Sequence, residues 1–335
     1  MRAFDYTRPA GLDDAISLMA QPNGTGGTRF LAGGTDLLTL MKTEIVTPDR
    51  LIDIKRLPEL TSAIDVTAEG VTLGALTTLA QIKTHDTVRA AYTALAEAAA
   101  LAASPQLRNM ATLGGNLLQR PRCWYYRNPH LDCWLKGGAD CPARHGENQL
   151  HAIFETSPCV AVHPSDPAPA LIALDASVSL RGSSGERTVP LAEFFAPPEE
   201  ERRTENVLGD DEVIVSIRLP APAAGQRSTY LKAMDRKVWA FAVVGVAAAL
   251  RVVDGRIEDA RLTLSGVAPV PWQARAAERE LIGQTPGDAL FARVADVAVA
   301  ESAPLSLNGY KVPLTRVLVR RALARVAGDA AEQSG

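Results

Sequence analysis

The sequence is poor in the features that most quickly assign a protein to a class. Aromatic residues make up 5% of its 335 positions, and no stretch reaches the roughly 18 consecutive apolar residues of a membrane-spanning helix. The longest apolar run, residues 239–250 (WAFAVVGVAAAL), is too short to cross a bilayer and reads as a buried strand or helix. Charge of one sign is missing too. The 35 basic and 38 acidic residues leave a formal net charge of −3, so no basic surplus exists to neutralise a nucleic-acid backbone. Asp5, Asp13 and Asp14 stand where a secretory signal needs its apolar core, so the expectation is a chain with no export signal of its own. With 47% hydrophobic residues, wholesale disorder is excluded, and the length suggests about two domains, each able to bury a core.

Cysteine is scarce but not scattered. All four lie between Cys123 and Cys159, separated by nine, seven and seventeen residues. That is neither the paired C-x2-C of a zinc ribbon nor the compact spacing of bacterial ferredoxins. Without a secretory signal, clustered thiols favour a metal site over disulfides. The surrounding residues 119–162 are rich in Arg, Gly, Pro and His, lack a helical or strand period, and read as a long irregular insert. A zinc knot on the same four thiols, or four unrelated thiols, are the plainer alternatives. Arg120, Arg122 and Arg127 near Cys123 would offset the negative charge of a metal cluster, or form a solvated face.

Around the insert the pattern is α/β. Residues 12–20 read as a helix, 29–32, 50–54 and 71–76 as strands, and the Ala-rich stretch 88–103 as a single helix. After the insert come the strands VSLRG, RTVPL and VIVSIRLP, a linker at Pro220–Gly225, and three further strands. Helices near 273–283, 288–301 and 314–327 close the chain.

Two turns carry consecutive glycines between a strand or loop and a helix: Leu31-Ala32-Gly33-Gly34-Thr35-Asp36-Leu37 and Thr112-Leu113-Gly114-Gly115-Asn116. Such turns let a backbone approach a ligand and offer N–H groups to a phosphate at a helix start. Neither is a Walker A loop or a Rossmann G-x-G-x-x-G. Each alone could be an ordinary capped turn. As a pair they suggest a ligand with a long phosphate spine lying between them. Ser165 and Asp166, in His163-Pro164-Ser165-Asp166, offer a hydroxyl and a carboxylate for sugar or ribityl hydroxyls, or merely a helix cap.

The order LAGGTDLL, ATLGGNLL, HPSDPAPALIAL, Y-x-K-x-x-x-R and LSGVAPVPWQA resembles the flavin subunits of the molybdenum hydroxylases, which include xanthine dehydrogenase, molybdenum carbon monoxide dehydrogenase and aldehyde oxidoreductases. The resemblance covers nearly the whole chain. It implies an α+β protein: a two-part FAD-binding domain of the vanillyl-alcohol-oxidase type over 1–222 (parts 1–58 and 59–222, with the insert 119–162). A smaller α+β domain of the CO dehydrogenase flavoprotein C-terminal type would follow over 223–335. It implies that Leu31 to Leu37 and Thr112, Gly115 and Asn116 cradle the FAD pyrophosphate. Asp166, with Ser165, would bind the ribityl or adenosine portion, while Ile214 and Lys232 would give an apolar and a polar contact beside the isoalloxazine. The 48 residues between Asn116 and Ser165 exceed the short family pattern and are similar to the inserts of the aldehyde oxidoreductase and 4-hydroxybenzoyl-CoA reductase flavin subunits. That similarity implies a 4Fe-4S cluster on Cys123, Cys133, Cys141 and Cys159, as four irons each need one thiolate. The implied partners are a large molybdopterin-binding subunit, a small 2Fe-2S subunit and an external electron acceptor. Export would then occur only with a signal-bearing partner. A stand-alone flavin oxidase and a zinc-stapled nucleotide-binding scaffold are the competing readings.

Overall fold

The computed structural model describes the backbone of residues 1–331 and the side chains to residue 328; residues 332–335 of the expected C-terminal domain lie outside the described residues. Three sheets follow one another along the chain. The first is parallel and three-stranded, with Arg50–Asp53 between Asp5–Thr7 and Thr28–Leu31. The helix Leu12–Ala20 covers it, burying Leu12, Ala15 and Ile16 on one face as its apolar spacing requires.

The second sheet is five-stranded and antiparallel, in the order Ile64–Thr67, Gly70–Gly74, Val213–Pro220, Ser177–Gly182, Gly185–Pro190. Its core is shared by Thr93–Leu101 and Pro167–Ala173, whose small alanines permit close approach to each other and to the sheet that follows. The Ala-rich stretch is two helices, Asp86–Ala91 and Thr93–Leu101, because Tyr92 leaves helical geometry at φ −127°, ψ 51°. Its phenol is drawn across to donate to the Pro220 carbonyl at 2.9 Å.

The third sheet is Trp272–Gln273, Arg256–Ser265, Val244–Val253, Gln226–Ala233. Its strand Val244–Val253 explains the long apolar run. Val244, Val246, Ala248 and Leu250 face the helices Arg275–Leu281, Asp288–Ala298 and Lys311–Ala331, whereas Ala247 faces the core of the preceding sheet. A strand buried on both faces loses the polar alternation of a surface strand.

The insert is irregular, with only the short 3-10 turns Trp134–Lys136 and Pro142–Arg144. It is stitched to the C-terminal region by polar side chains. Asn308 donates to the carbonyls of Ala152 (2.9 Å) and His151 (3.2 Å), and Asn148 to Ser306 Oγ (3.1 Å). The buried Lys311 donates to the carbonyls of Leu150 (2.9 Å), His151 (2.9 Å) and Gly266 (2.7 Å). Burial pushes its ammonium down to about 7.

Candidate functional site

The two glycine turns meet. The first leaves the strand Thr28–Leu31 and enters the helix Leu37–Lys42; the second enters Leu113–Leu117, capped by Thr112, whose Oγ1 accepts from Gly115 N at 3.3 Å. Gly34 has φ +72°, the left-handed region that favours glycine. Gly33 presses so closely on the second turn that a Cβ there would stand 1.9 Å from the Met110 carbonyl oxygen. Thr35 and Asn116 thus face one cleft of about 340 Å³, which also reaches Asp166. The structure brings together the three motifs that the sequence leaves 80 and 50 residues apart. The helices behind the turns are only six and five residues long, so few peptide dipoles add at their starts.

The Ser165-Asp166 pair divides its labour differently from a simple cap. Ser165 Oγ accepts from Ala168 N at 3.1 Å and donates to Asn116 Oδ1 at 2.6 Å, so it caps the helix Pro167–Ala173 and fixes the Asn116 side chain. Asp166 makes no cap bond. Its carboxylate accepts from Tyr230 Oη and Lys232 Nζ, both at 2.7 Å. Burial raises the pKa of Asp166 against the pull of Lys232 and Tyr230. Lys232, with no exposed side-chain surface, also donates to the Ala240 carbonyl at 2.8 Å and the Leu101 carbonyl at 3.1 Å. It braces the cleft wall from the third sheet. Ile214 lies within the apolar core of the five-stranded sheet.

Asp36 points away from its own turn, toward the insert. Its carboxylate accepts from Arg120 N (2.8 Å), from Arg127 Nη2 (2.8 Å) and from Arg122 Nη1. Burial would raise its pKa, but the charges of Arg122 and Arg127 and these hydrogen bonds hold it below the usual carboxylate value. Both arginines line the cleft, as do Arg236 and Phe241 from the 234–243 hairpin. Sequence reasoning assigned none of these four to the cleft. The available signal was the run of three arginines flanking the first cysteine. A second cavity of about 300 Å³ adjoins, sharing Arg122, Pro164, Arg236 and Phe241 and reaching Cys123 and His151.

The four thiols gather in one place and are all free. Cys133 and Cys159 lie in an apolar cluster with Tyr126, Trp134 and Leu135, and Cys123 and Cys141 pack against it. A hydrogen bond with Cys159 lowers Cys141 to about 6 and raises Cys159 well above the ordinary thiol value. Burial pushes Cys123 up to about 11 and raises Cys133. His151 Nε2 lies 3.1 Å from Cys123 Sγ. Among the described residues, no three His, Cys, Asp or Glu side chains form a group that could hold a metal ion, so the predicted ligand set is not drawn up around a centre. Arginines satisfy the surrounding backbone. Arg203 donates to the Trp134 (2.7 Å) and Gly138 (3.0 Å) carbonyls, and Arg144 to those of Ser157 (2.8 Å) and Pro158 (3.0 Å).

Residues 2–222 match the FAD binding domain in molybdopterin dehydrogenase, and residues 229–326 the CO dehydrogenase flavoprotein C-terminal domain. The chain is 39% identical to the aldehyde oxidoreductase FAD-binding subunit PaoB of Escherichia coli (strain K12), covering all of both chains. It is 31% identical to the carbon monoxide dehydrogenase medium chain of Hydrogenophaga pseudoflava over 96% of each. A solved structure of carbon monoxide dehydrogenase from that organism superimposes with a TM-score of 0.76, covering 96% of each chain at 31% identity. The structure of quinoline 2-oxidoreductase from Pseudomonas putida 86 gives 0.75, covering 98% of each at 25% identity.

Proposed function

The chain belongs to the FAD-binding subunits of the molybdenum hydroxylases, and from that premise we propose that it is the flavin subunit of an aldehyde-oxidising member. FAD, when bound, supplies a carrier that takes up two electrons and passes them on. The chain's own part is to hold that carrier. The observation that carries the reading is the abutment of the two glycine turns, so close that a Cβ at Gly33 would stand 1.9 Å from the Met110 carbonyl oxygen. Backbone from Ala32 to Asp36 and from Thr112 to Asn116 would lie along the pyrophosphate, with Leu31 and Leu37 anchoring the first turn. Asn116, fixed by Ser165, is the polar group best presented to ligand hydroxyls. Asp166 lines the cleft, its charge compensated by Lys232 behind it. The proposed domain division is 1–222 and 223–335, the first in parts 1–58 and 59–222.

In the same reading Cys123, Cys133, Cys141 and Cys159 hold a 4Fe-4S cluster. Four thiols from a segment with little core of its own share one apolar pocket, and Cys141 is the one readiest to ionise. A single zinc ion needs its donors about 2.3 Å from one point. A cubane takes each thiolate at a separate corner. The partners would be a molybdopterin-binding subunit that oxidises the aldehyde, a 2Fe-2S subunit that relays electrons here, and an external acceptor. Among the described residues no helix is long and apolar enough to cross a membrane.

The test is composition after anaerobic purification with its partners. One FAD, four irons and four labile sulfides per chain beyond the 2Fe-2S subunit's share are expected. Gly34→Val and Gly115→Val should each lose flavin. Full FAD in both variants would overturn the pyrophosphate assignment, and stoichiometric zinc without labile sulfide would overturn the cluster.

A further inference from the structure

We propose that Arg122 and Arg127, two residues of the cysteine insert, are cationic ligands of the FAD phosphates, and that Asp36 is the positioning residue that aims them. The inference rests on the reading of the cleft as the FAD site. It begins from charge. A pyrophosphate brings two negative charges, yet the N–H groups of the second glycine turn already donate within the protein (Leu113 to Thr77 O, Gly114 to Ala75 O, Gly115 to Thr112 Oγ1, Asn116 to Thr112 O), and the helices behind both turns are too short to add much dipole.

The charge comes from across the cleft. Arg122 and Arg127 both line it beside Thr35 and Asn116, and both are tied to the single carboxylate of Asp36. Their other partners are neutral: Gln119 Oε1 for Arg122 (3.1 Å), and the carbonyls of Pro121 (2.8 Å) and Arg120 (2.9 Å) for Arg127. Two guanidiniums sharing one carboxylate leave one positive charge over at the cleft wall. Arg120, by contrast, has a carboxylate to itself, Glu205 at 3.2 Å. Guanidinium forks suit phosphate oxygens, and these two are already ordered by protein hydrogen bonds, so little side-chain freedom remains to be lost on binding.

Asp36 belongs to the first glycine turn, and Arg122 directly precedes Cys123 in the chain. The clamp therefore joins the cradle to the cysteine loop. The insert becomes one wall of the dinucleotide site, beyond whatever its thiols hold.

The experiment uses the full chain stripped of flavin and titrated with FAD, with riboflavin, which lacks phosphate, and with ADP as competitor. For Arg122→Met/Arg127→Met the FAD Kd should rise at least about tenfold, which corresponds to about 1.4 kcal/mol. ADP should cease to compete, and riboflavin affinity should stay as in the unmodified chain. Added salt should weaken FAD in the unmodified chain more than in the double variant. Arg122→Lys and Arg127→Lys, which keep the charge but not the fork, should fall between, and they carry the test if the methionine pair does not fold. Unchanged FAD affinity, or an equal loss of riboflavin and FAD, would overturn the proposal. An unmodified chain that binds riboflavin and FAD equally overturns it as well. Failure of that chain to bind any flavin would instead overturn the FAD reading beneath it.

Discussion

The C-terminal sheet and the cysteine insert touch along one seam, yet they are ordered by opposite means. In the sheet, alternate residues of Val244–Val253 bury themselves against three helices, and backbone groups pair with backbone groups. In the insert, carbonyls of Trp134, Gly138, Ser157 and Pro158 are answered by arginines, and those of Leu150 and His151 by a lysine. A region without regular structure must still satisfy its buried polar groups. Long cationic side chains do so here.

The contrast can be broken at its strongest point first. The cleft also contains a polar element held like the insert, the Asp166–Lys232 pair. Asp166→Ala leaves Lys232 buried and uncompensated and should cost about 3–5 kcal/mol of stability in denaturant unfolding. Asp166→Ala/Lys232→Met should recover much of that. A single-variant loss below about 1 kcal/mol would show that the pair does not brace the wall.

One substitution made in both regions sharpens the comparison. Gly33→Ala drives a Cβ into the Met110 carbonyl and should cost about 1–3 kcal/mol together with bound FAD. Gly137→Ala, in the insert, meets nothing within 4 Å and pays only for its φ of +104°, about 1 kcal/mol, with flavin content unchanged. Equal effects on flavin would erase the distinction between cradle and insert.

A last effect, read as a slope and not as a single free energy, is a pH dependence at the seam. Lys311 titrates at about 7 in the folded chain against 10.5 ordinarily. Below about 7 it is protonated in both states and the burial penalty is complete. As the pH rises from 7 to 10.5 the folded chain sheds this proton first, so the contribution of Lys311 to stability increases. Lys311→Met should flatten that part of the curve of unfolding free energy against pH. An identical slope in the variant would refute the assignment.

The same contrast explains what could be read beforehand. Helix Leu12–Ala20 and strand Val213–Pro220 match their expected positions because local apolar spacing dictates them. The strand Asp5–Thr7 has no such pattern; it exists by pairing with Arg50–Ile52, some 45 residues away. The break at Tyr92 depends on a bond to Pro220 that a run of alanines does not foretell. The glycine motifs were legible as motifs. The direction of Asp36 was not, because its partners lie 84 to 91 residues later in a segment without period. The four cysteines suggested a shared metal site by composition; the thiols pack together, but among the described residues no three potential ligands form a group that could hold a metal ion.

The seam formed by Asn148, Asn308 and Lys311 also sets a timetable. Residues 148–152 have hydrogen-bond partners 156 to 161 residues downstream. At about 5–20 residues per second of synthesis, the insert leaves the ribosome on the order of 10–30 s before those partners do. During that interval its thiols stay unsequestered on the nascent chain. A cluster assembled then would have to form on a floppy peptide, whereas one assembled after the seam closes would form on a segment already clasped at its far end. If the insert holds the proposed cluster, loading it would follow closure of this seam, with the four thiols kept reduced until then.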